Sequence, residues 1–152
     1  KVYGEPTQGV TMRGQWTVTL QSGDVERVIK GPNVICTNGK EFLANFLYSA
    51  ALAASTFTCK YVAIGTDATA EAAAQTALGG ELARQTGTVS YVSNQMYVVT
   101  ATFPSGTGTG SIVEYGLLSS SSAGTMLSRT VQTLLAKGAN DSLTAVLQVT
   151  IG

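Results

Sequence analysis

Apolar and polar residues alternate with a period of two along several stretches of the chain. The last stretch, Ser142–Ile151, is the most regular, and its alternate positions are all apolar: Leu143, Ala145, Leu147, Val149 and Ile151. A period of two places such residues on one face of a β-strand, as a half-buried sheet requires. Residues 10–20 show the same pattern with Trp16 on the apolar face. Further strand-like runs cover residues 25–29, 59–65, 86–92, 97–103, 111–118 and 125–134.

Clusters of Gly, Ser, Asn and Asp separate these runs, and regularly spaced strands with such turns are typical of antiparallel sandwiches. The pattern therefore predicts a mainly β protein, a single antiparallel β-sandwich of jelly-roll-like type. Residues 86–92 and 95–103 are predicted to form a hairpin through Ser93-Asn94, with Val89 and Tyr91 opposite Tyr97 and Val99. The sequence Gly31-Pro32-Asn33 is predicted to end the second strand.

One short amphipathic helix is predicted near residues 37–49. Thr37 or Asn38 could cap it, with Glu41 completing a capping box. Its apolar stripe consists of Phe42, Leu43, Phe46 and Leu47. Such a stripe predicts that the helix packs on a sheet, as a lid over one end of the sandwich. Residues 66–77 are rich in Ala but contain no large apolar side chain, so they predict a surface loop rather than a second helix.

The length of 152 residues suits one domain, which we assign to residues 10–152. Residues 1–9 are polar and are predicted to be an N-terminal arm. In an assembly such an arm would lie on a neighbouring subunit, and in a monomer it would be a loose end. The residues proposed for the assembly arm are Lys1, Val2, Tyr3, Gly4, Glu5 and Pro6.

The composition is poor in charge, with 12% charged residues and nine basic side chains balanced by nine acidic ones. A chain without net positive charge has no electrostatic hold on a polyanion, so nucleic acid is not an expected partner. A net charge near zero favours self-association. No stretch reaches the ~18 apolar residues of a membrane span, so no membrane partner is expected.

The absence of histidine excludes Ser-His-Asp and Cys-His catalytic arrangements, and together with the absence of a CxxC motif it argues against a zinc site. Two cysteines, Cys36 and Cys59, either form one disulfide or serve as buried small hydrophobic residues. Calcium could draw oxygens from Asp67 and Glu71, or from Asn140 and Asp141, but the spacing is not that of an EF-hand.

Glu114 lies within the apolar run SIVEYGLL, where a carboxylate is unusual. It is either a strained catalytic acid or, as we favour, a residue that faces solvent or pairs with Arg84 or Arg129. The glycines at 106, 108 and 110 precede a strand and lack a following Lys-Ser/Thr, so they predict a flexible hairpin loop rather than a phosphate site. These residues predict neither an enzyme nor a metal, cofactor or small-molecule substrate.

Four segments resemble small structural proteins of tailed bacteriophages, a family often labelled head-fibre, decoration or tail-fibre-associated. They are NVICTNGKEFLANFL (33–47), YVAIGTDATAEAAAQTALGGELAR (61–84), ATFPSGTGTGSIVEYGLL (101–118), and residues 124–151, with GTMLSRTV and AKGANDSLTAVLQVTI. The resemblance implies a non-catalytic component of the virion surface, assembled in the host cytoplasm. Its expected partners are copies of itself, as a trimer or larger, and major capsid or tail proteins. The two cysteines depart from the family pattern and could staple a particle that meets harsh conditions.

Two other functions are compatible with the residues. A secreted carbohydrate-binding or adhesive module would use exposed aromatic rings, for which the candidates are Tyr48, Tyr61, Tyr91, Tyr97 and Tyr115. A subunit of an extracellular filament would donate its N-terminal segment as a strand, although residues 1–9 have a composition poor in strand formers.

Overall fold

The structure is a computed structural model that describes residues 11–48, 59–93 and 96–151. The described residues form two antiparallel sheets of five strands each, which confirms the predicted β-sandwich. Sheet A has the order β2-β1-β10-β7-β6. Its strands are β1 (Met12–Ser22), β2 (Val25–Pro32), β6 (Thr88–Ser93), β7 (Met96–Phe103) and β10 (Ser142–Ile151).

Sheet B has the order β3-β9-β8-β4-β5. Its strands are β3 (Val34–Ile35), β4 (Tyr61–Gly65), β5 (Glu81–Thr86), β8 (Gly110–Leu118) and β9 (Met126–Lys137). The pairing of β8 with β9 is interrupted by a bulge between Ile112 and Glu114. Residues 66–80 between β4 and β5 contain no helix or strand, which agrees with the loop predicted for residues 66–77.

The main core lies between the sheets and is built by the alternating apolar residues. Trp16, Val18 and Leu20 of β1 face Leu143, Ala145 and Leu147 of the neighbouring β10, and all six are buried. From sheet B, the residues in the same cluster include Val62, Ile64, Tyr115 and Leu117. The period-two pattern of β1 and β10 therefore sets both the register and the buried face of sheet A.

A second, smaller core lies on the outer face of sheet B. Ala63 and Leu118 belong to it, whereas their chain neighbours Val62, Ile64 and Leu117 point into the main core. Leu78, from the loop of residues 66–80, packs on this outer face together with Cys36 and Met126. Sheet B is thus covered on both faces, which explains why β8 is a continuous apolar run rather than an alternating one.

The helix α1 spans Thr37–Tyr48, close to the predicted range. It starts beside β9, where Gly39 allows such close approach that an added Cβ would lie 2.5 Å from the Leu127 carbonyl oxygen. Phe42 packs against the main core, as predicted for the apolar stripe of a helix that lies on a sheet. The N-cap differs from the prediction: Cys36 precedes the helix, and its carbonyl accepts hydrogen bonds from the Gly39 and Lys40 amides.

The structure corrects two predicted strand ends and one predicted loop type. β2 continues through Gly31 to Pro32, because a proline without an amide proton is tolerated on an edge strand. β9 extends to Lys137, three residues beyond the predicted end. The glycine-rich residues 106–110 are not in a hairpin loop, since they connect β7 in sheet A with β8 in sheet B.

Two chain segments pass from one sheet to the other at the lateral edges of the sandwich. β2 leads into β3 through Asn33, and β5 leads into β6 through Gly87. Gly87 is buried and donates its amide proton to the Lys60 carbonyl at 2.7 Å, while a Cβ there would lie 2.7 Å from Val99 Cγ1. These corners place β2, β3, β5 and β6 at the edges of the sheets.

The predicted pairing of Val89 with Val99 and of Tyr91 with Tyr97 is confirmed. The proposed turn at Ser93-Asn94 lies partly outside the described residues, and the N-terminal arm lies wholly outside them. The arm residues Lys1 to Pro6 therefore remain a prediction.

Candidate functional site: a buried charged cluster and the free edges of the sheets

Glu114 lies on the outer face of sheet B, fully buried beneath the loop of residues 66–80. Its Oε1 accepts hydrogen bonds from the amides of Gly80 at 2.6 Å and Asp67 at 3.3 Å. Its Oε2 accepts one from the Gly79 amide at 3.1 Å and one from Arg129 Nε at 3.0 Å. The carboxylate of Glu114 is thus surrounded by donors from its own chain.

Arg129 on β9 is the cation of this cluster, with a side chain only 1% exposed. Its Nη1 donates to the Thr69 carbonyl at 2.8 Å and to Gln75 Oε1 at 3.2 Å. Its Nη2 lies 2.9 Å from Glu114 Oε2 and 3.2 Å from Asp67 Oδ2. The guanidinium group therefore joins β9 to the start of the covering loop at Asp67 and Thr69 and to its middle at Gln75.

The structure selects Arg129 over Arg84 as the partner of Glu114. Arg84 instead forms a surface ion pair with Glu81 at 2.7 Å and donates to the carbonyls of Ser120 and Ala123. The strand order explains the choice, because Arg129 is on β9, directly beside β8, whereas Arg84 is on β5, which is separated from β8 by β4. Glu114 acts here as the anchor of a loop.

Asp67 completes the cluster at its solvent side. Hydrogen bonds from the Thr69 hydroxyl and amide, together with the nearby Arg129, lower the pKa of its carboxyl. Asp67, one of the candidate calcium ligands, is therefore held by contacts within the fold.

A second buried cation lies at the end of β9. Lys137 at the end of β9 is 2% exposed, and its Nζ donates to the carbonyls of Asp141 at 2.7 Å and Pro104 at 3.1 Å. Burial lowers the pKa of Lys137, while hydrogen bonds from Ser22 and the Gly138 amide lower the pKa of Asp141. These contacts hold the end of β9 against the turn that precedes β10.

Both cysteines are buried and both are free thiols in the structure. Cys59 belongs to the main core and Cys36 to the smaller core on the outer face of sheet B. Burial raises the pKa of Cys36, and it raises the pKa of Cys59 to about 12. Neither thiol is therefore poised to act as a nucleophile.

The large apolar side chains exposed to solvent have a common location. Six of the seven lie on edge strands: Val25 and Val28 on β2, Leu82 on β5, and Val89, Tyr91 and Val92 on β6. The seventh, Leu134, lies on β9, whose outer edge is paired with β3 only at Ser128 and Arg129 among the described strands. Among the described residues, the exposed large apolar side chains are thus concentrated on strands at the edges of the two sheets.

A groove lies between β9 and β2 where those two strands diverge. It has a volume of about 260 Å³ and is lined by Leu20, Ser22, Val25, Arg27 and Ala136. The chain leaves sheet A at Pro32 and pairs with β9 only as the two-residue strand β3, so β3 lies beside only the beginning of β9. The sequence patterns did not reveal this groove, since it depends on the relative positions of β2 and β9, which are far apart in the chain.

Comparison of the chain with protein-family models, curated proteins and solved structures finds no match. In the described part of the chain, no group of three His, Cys, Asp or Glu residues is arranged to hold a metal ion. No helix among the described residues has the length and apolar character needed to cross a membrane.

Proposed function

We propose that the chain is a structural subunit of a bacteriophage particle, a capsid decoration or head or tail surface protein that assembles with copies of itself. The observation that carries the proposal is the position of the exposed apolar side chains on strands with a free edge. Such edges are where sheets add further strands or dock on other subunits.

The buried charged clusters support this proposal because they stabilise structure rather than present reactive groups. Glu114 and Arg129 fasten residues 66–80 onto sheet B, and Lys137 fastens the turn before β10. A surface subunit needs a rigid frame that holds its edges in a fixed relation, and buried ion pairs favour one unique arrangement. The low charge of the chain adds little repulsion between neighbouring copies.

Electron microscopy of particles from a producing host, labelled with an antibody fragment against the chain, tests the function. We expect copies at symmetry-related positions, at local symmetry axes for a head protein or in rings for a tail protein. Particles without regularly placed copies would contradict the proposal, and particles that lack the chain provide the control for unspecific labelling.

The groove between β2 and β9 favours a second candidate, a filament subunit that accepts a donated strand. Beyond Arg129, the outer edge of β9 pairs with no strand of the described residues and could bind an incoming strand, whose side chains would contact Val25 and Ala136. The donor would be the N-terminal segment of a neighbouring copy. Deletion of residues 1–9 would then abolish polymerisation, whereas a polymer that survives the deletion would exclude strand donation.

A further inference from the structure

The four edge strands of the sandwich differ in how they are protected against pairing with another chain. Natural edge strands are guarded by charges, proline or short length. β3 has two residues, and β5 carries Glu81 and Arg84. β2 carries its own guards along its length: Glu26, Arg27, Lys30 and Pro32.

β6 has none of these guards, and its bulge between Tyr91 and Ser93 leaves Thr88–Tyr91 regular. Its sequence TVSYVS contains no charged residue, no proline and no glycine. It also carries three of the seven exposed large apolar side chains, with Val89 43% and Tyr91 73% exposed. Of the four edges, β6 is thus the one with both an apolar surface and unguarded backbone.

The apolar face of β6 is turned toward the other sheet but is not covered by it. Val89 pairs with Val99, which is fully buried in the main core, so Val89 and Tyr91 lie on the same inner side of sheet A. β5, the edge strand of sheet B, ends at Thr86, and the chain then turns at Gly87 into β6. An additional strand beside β6 would therefore cover side chains that sheet B leaves exposed.

We propose that β6 pairs with β6 of a second copy, antiparallel and across a two-fold axis, which joins the two A sheets. This inference rests on the proposed function and names the contact through which two subunits meet. An uncharged edge meets its own copy without repulsion, and a two-fold contact requires a self-complementary surface. A pairing centred on Ser90 places Val89 of each copy opposite Tyr91 of the other, an aromatic and β-branched pair.

The register of β6 limits the length of this contact. Pairing with β7 is regular from Thr88 to Tyr91 and shifts before Ser93, so Val92 lies at a bulge. A contact of about four residues on each side buries less than the ~1,200 Å² of a stable complex. We therefore expect weak, concentration-dependent association in solution, which many copies on a particle would reinforce.

Cross-linking of the full chain through Ser90 tests the register. In the proposed pairing the two Ser90 Cα atoms are about 4.5–5.5 Å apart, within reach of a disulfide. Oxidation of a Ser90→Cys variant should therefore produce linked pairs. The control on the same strand is Thr88→Cys, whose two Cα atoms would be about 13 Å apart along the strand and beyond a disulfide. The parent chain, with both cysteines buried, should give no linked pairs.

Sedimentation equilibrium tests the edge itself. We expect Tyr91→Lys to weaken self-association by about tenfold or more, because a lysine guards the edge. The matched control is Val28→Lys, which adds the same charge at an exposed valine on the guarded β2, and it should leave association unchanged. Circular dichroism of both variants establishes that they are folded.

Several outcomes would overturn the inference. Absence of Ser90→Cys pairs at high protein concentration would show that another segment of the same chain, or a different protein, covers β6. Association that resists Tyr91→Lys would place the contact elsewhere. If the Tyr91→Lys chain still occupied regular positions on the particle, the β6 contact would be refuted and the proposed function would stand. Irregular placement of the unmodified chain would refute the function itself.

Discussion

Replacement of Glu114 by Gln is the sharpest test of the buried charged cluster. The new amide group would face two donors that now bind a carboxylate oxygen, and Arg129 would lose its buried counter-charge. A hydrogen bond to a charged group contributes about 1.5–3 kcal/mol, and removal of one partner of a buried ion pair costs about 3–5 kcal/mol. Arg129 keeps the carboxylate of Asp67, which is 31% exposed and therefore a weaker substitute. We expect a loss of about 3 kcal/mol in the free energy of unfolding, near the lower end of that range.

Urea denaturation followed by the fluorescence of Trp16, the single buried tryptophan, measures this loss. In a chain of this size a loss of about 3 kcal/mol lowers the Tm by roughly 6–12 °C. The matched control is Glu81→Gln, which removes the surface ion pair with Arg84 and should cost less than about 1 kcal/mol. Hydrogen exchange at the Gly79 and Gly80 amides reports on the loop directly, since both donate to the carboxylate that the substitution removes.

Equal effects of Glu114→Gln and Glu81→Gln would refute the view that the cluster fastens the loop to sheet B. Faster exchange at Gly79 and Gly80 without loss of global stability would show that the loop opens independently of the sandwich. The double variant Glu114→Gln with Arg129→Met should lose less stability than the sum of the two single variants. Each single variant leaves one buried charge without its partner, whereas the double variant removes both charges.

Three further predictions concern buried or titrating side chains. Ser128→Ala should leave stability unchanged or raise it by up to about 1 kcal/mol, because Ser128 Oγ is buried without a hydrogen-bond partner among the described residues; a loss above about 1 kcal/mol in urea denaturation would contradict this. The lowered pKa of Asp67 and Asp141 contributes stability above their ordinary pKa that is lost as pH falls through the lowered values, so urea midpoints should decrease below about pH 4. Asp67→Asn and Asp141→Asn should each flatten that decrease, and unchanged curves would refute the assignment. The raised pKa of Cys36 and Cys59 gives stability that is present below their ordinary pKa and is lost as pH rises through the raised values; the native thiols should react with a thiol reagent at pH 8 only as fast as the chain unfolds, and a rapid burst would contradict their burial.

The sandwich was predictable because β1 and β10 carry a strict period of two that burial enforces. A shift of one residue would expose Trp16 and Leu147, so the pattern specifies both strand and face. The helix was equally accessible, since Phe42 and its neighbours repeat at helical spacing. β8 was recognisable as a strand but not as one covered on both faces, because the loop that covers it has no apolar pattern of its own.

The buried cluster was only half predictable from the sequence. A carboxylate within the run IVEYGLL signals a buried partner, and Arg129 within LSRTV carries the same signal on the neighbouring strand. The contribution of Gly79 and Gly80, whose amides bind Glu114, had no such signal, because backbone donors are the same in every sequence. The free edge of β6 was hidden for a different reason: its Val and Tyr pattern is that of any half-buried strand, and only the sheet order places it at an edge.

The loop that the Glu114–Arg129 cluster holds is followed in the chain by β5 and then by the edge strand β6, so the cluster could also position β6. Glu114 binds the Gly80 amide immediately before β5, and β5 leads through Gly87 into β6. The position of β6, however, is fixed locally by four regular pairs with β7 and by the buried corner at Gly87. Since these contacts do not involve Glu114, we expect Glu114→Gln to leave the yield of Ser90→Cys pairs unchanged under conditions where the variant is folded. Loss of the pairs in a folded Glu114→Gln variant would instead show that the loop anchor also holds the assembly edge in place.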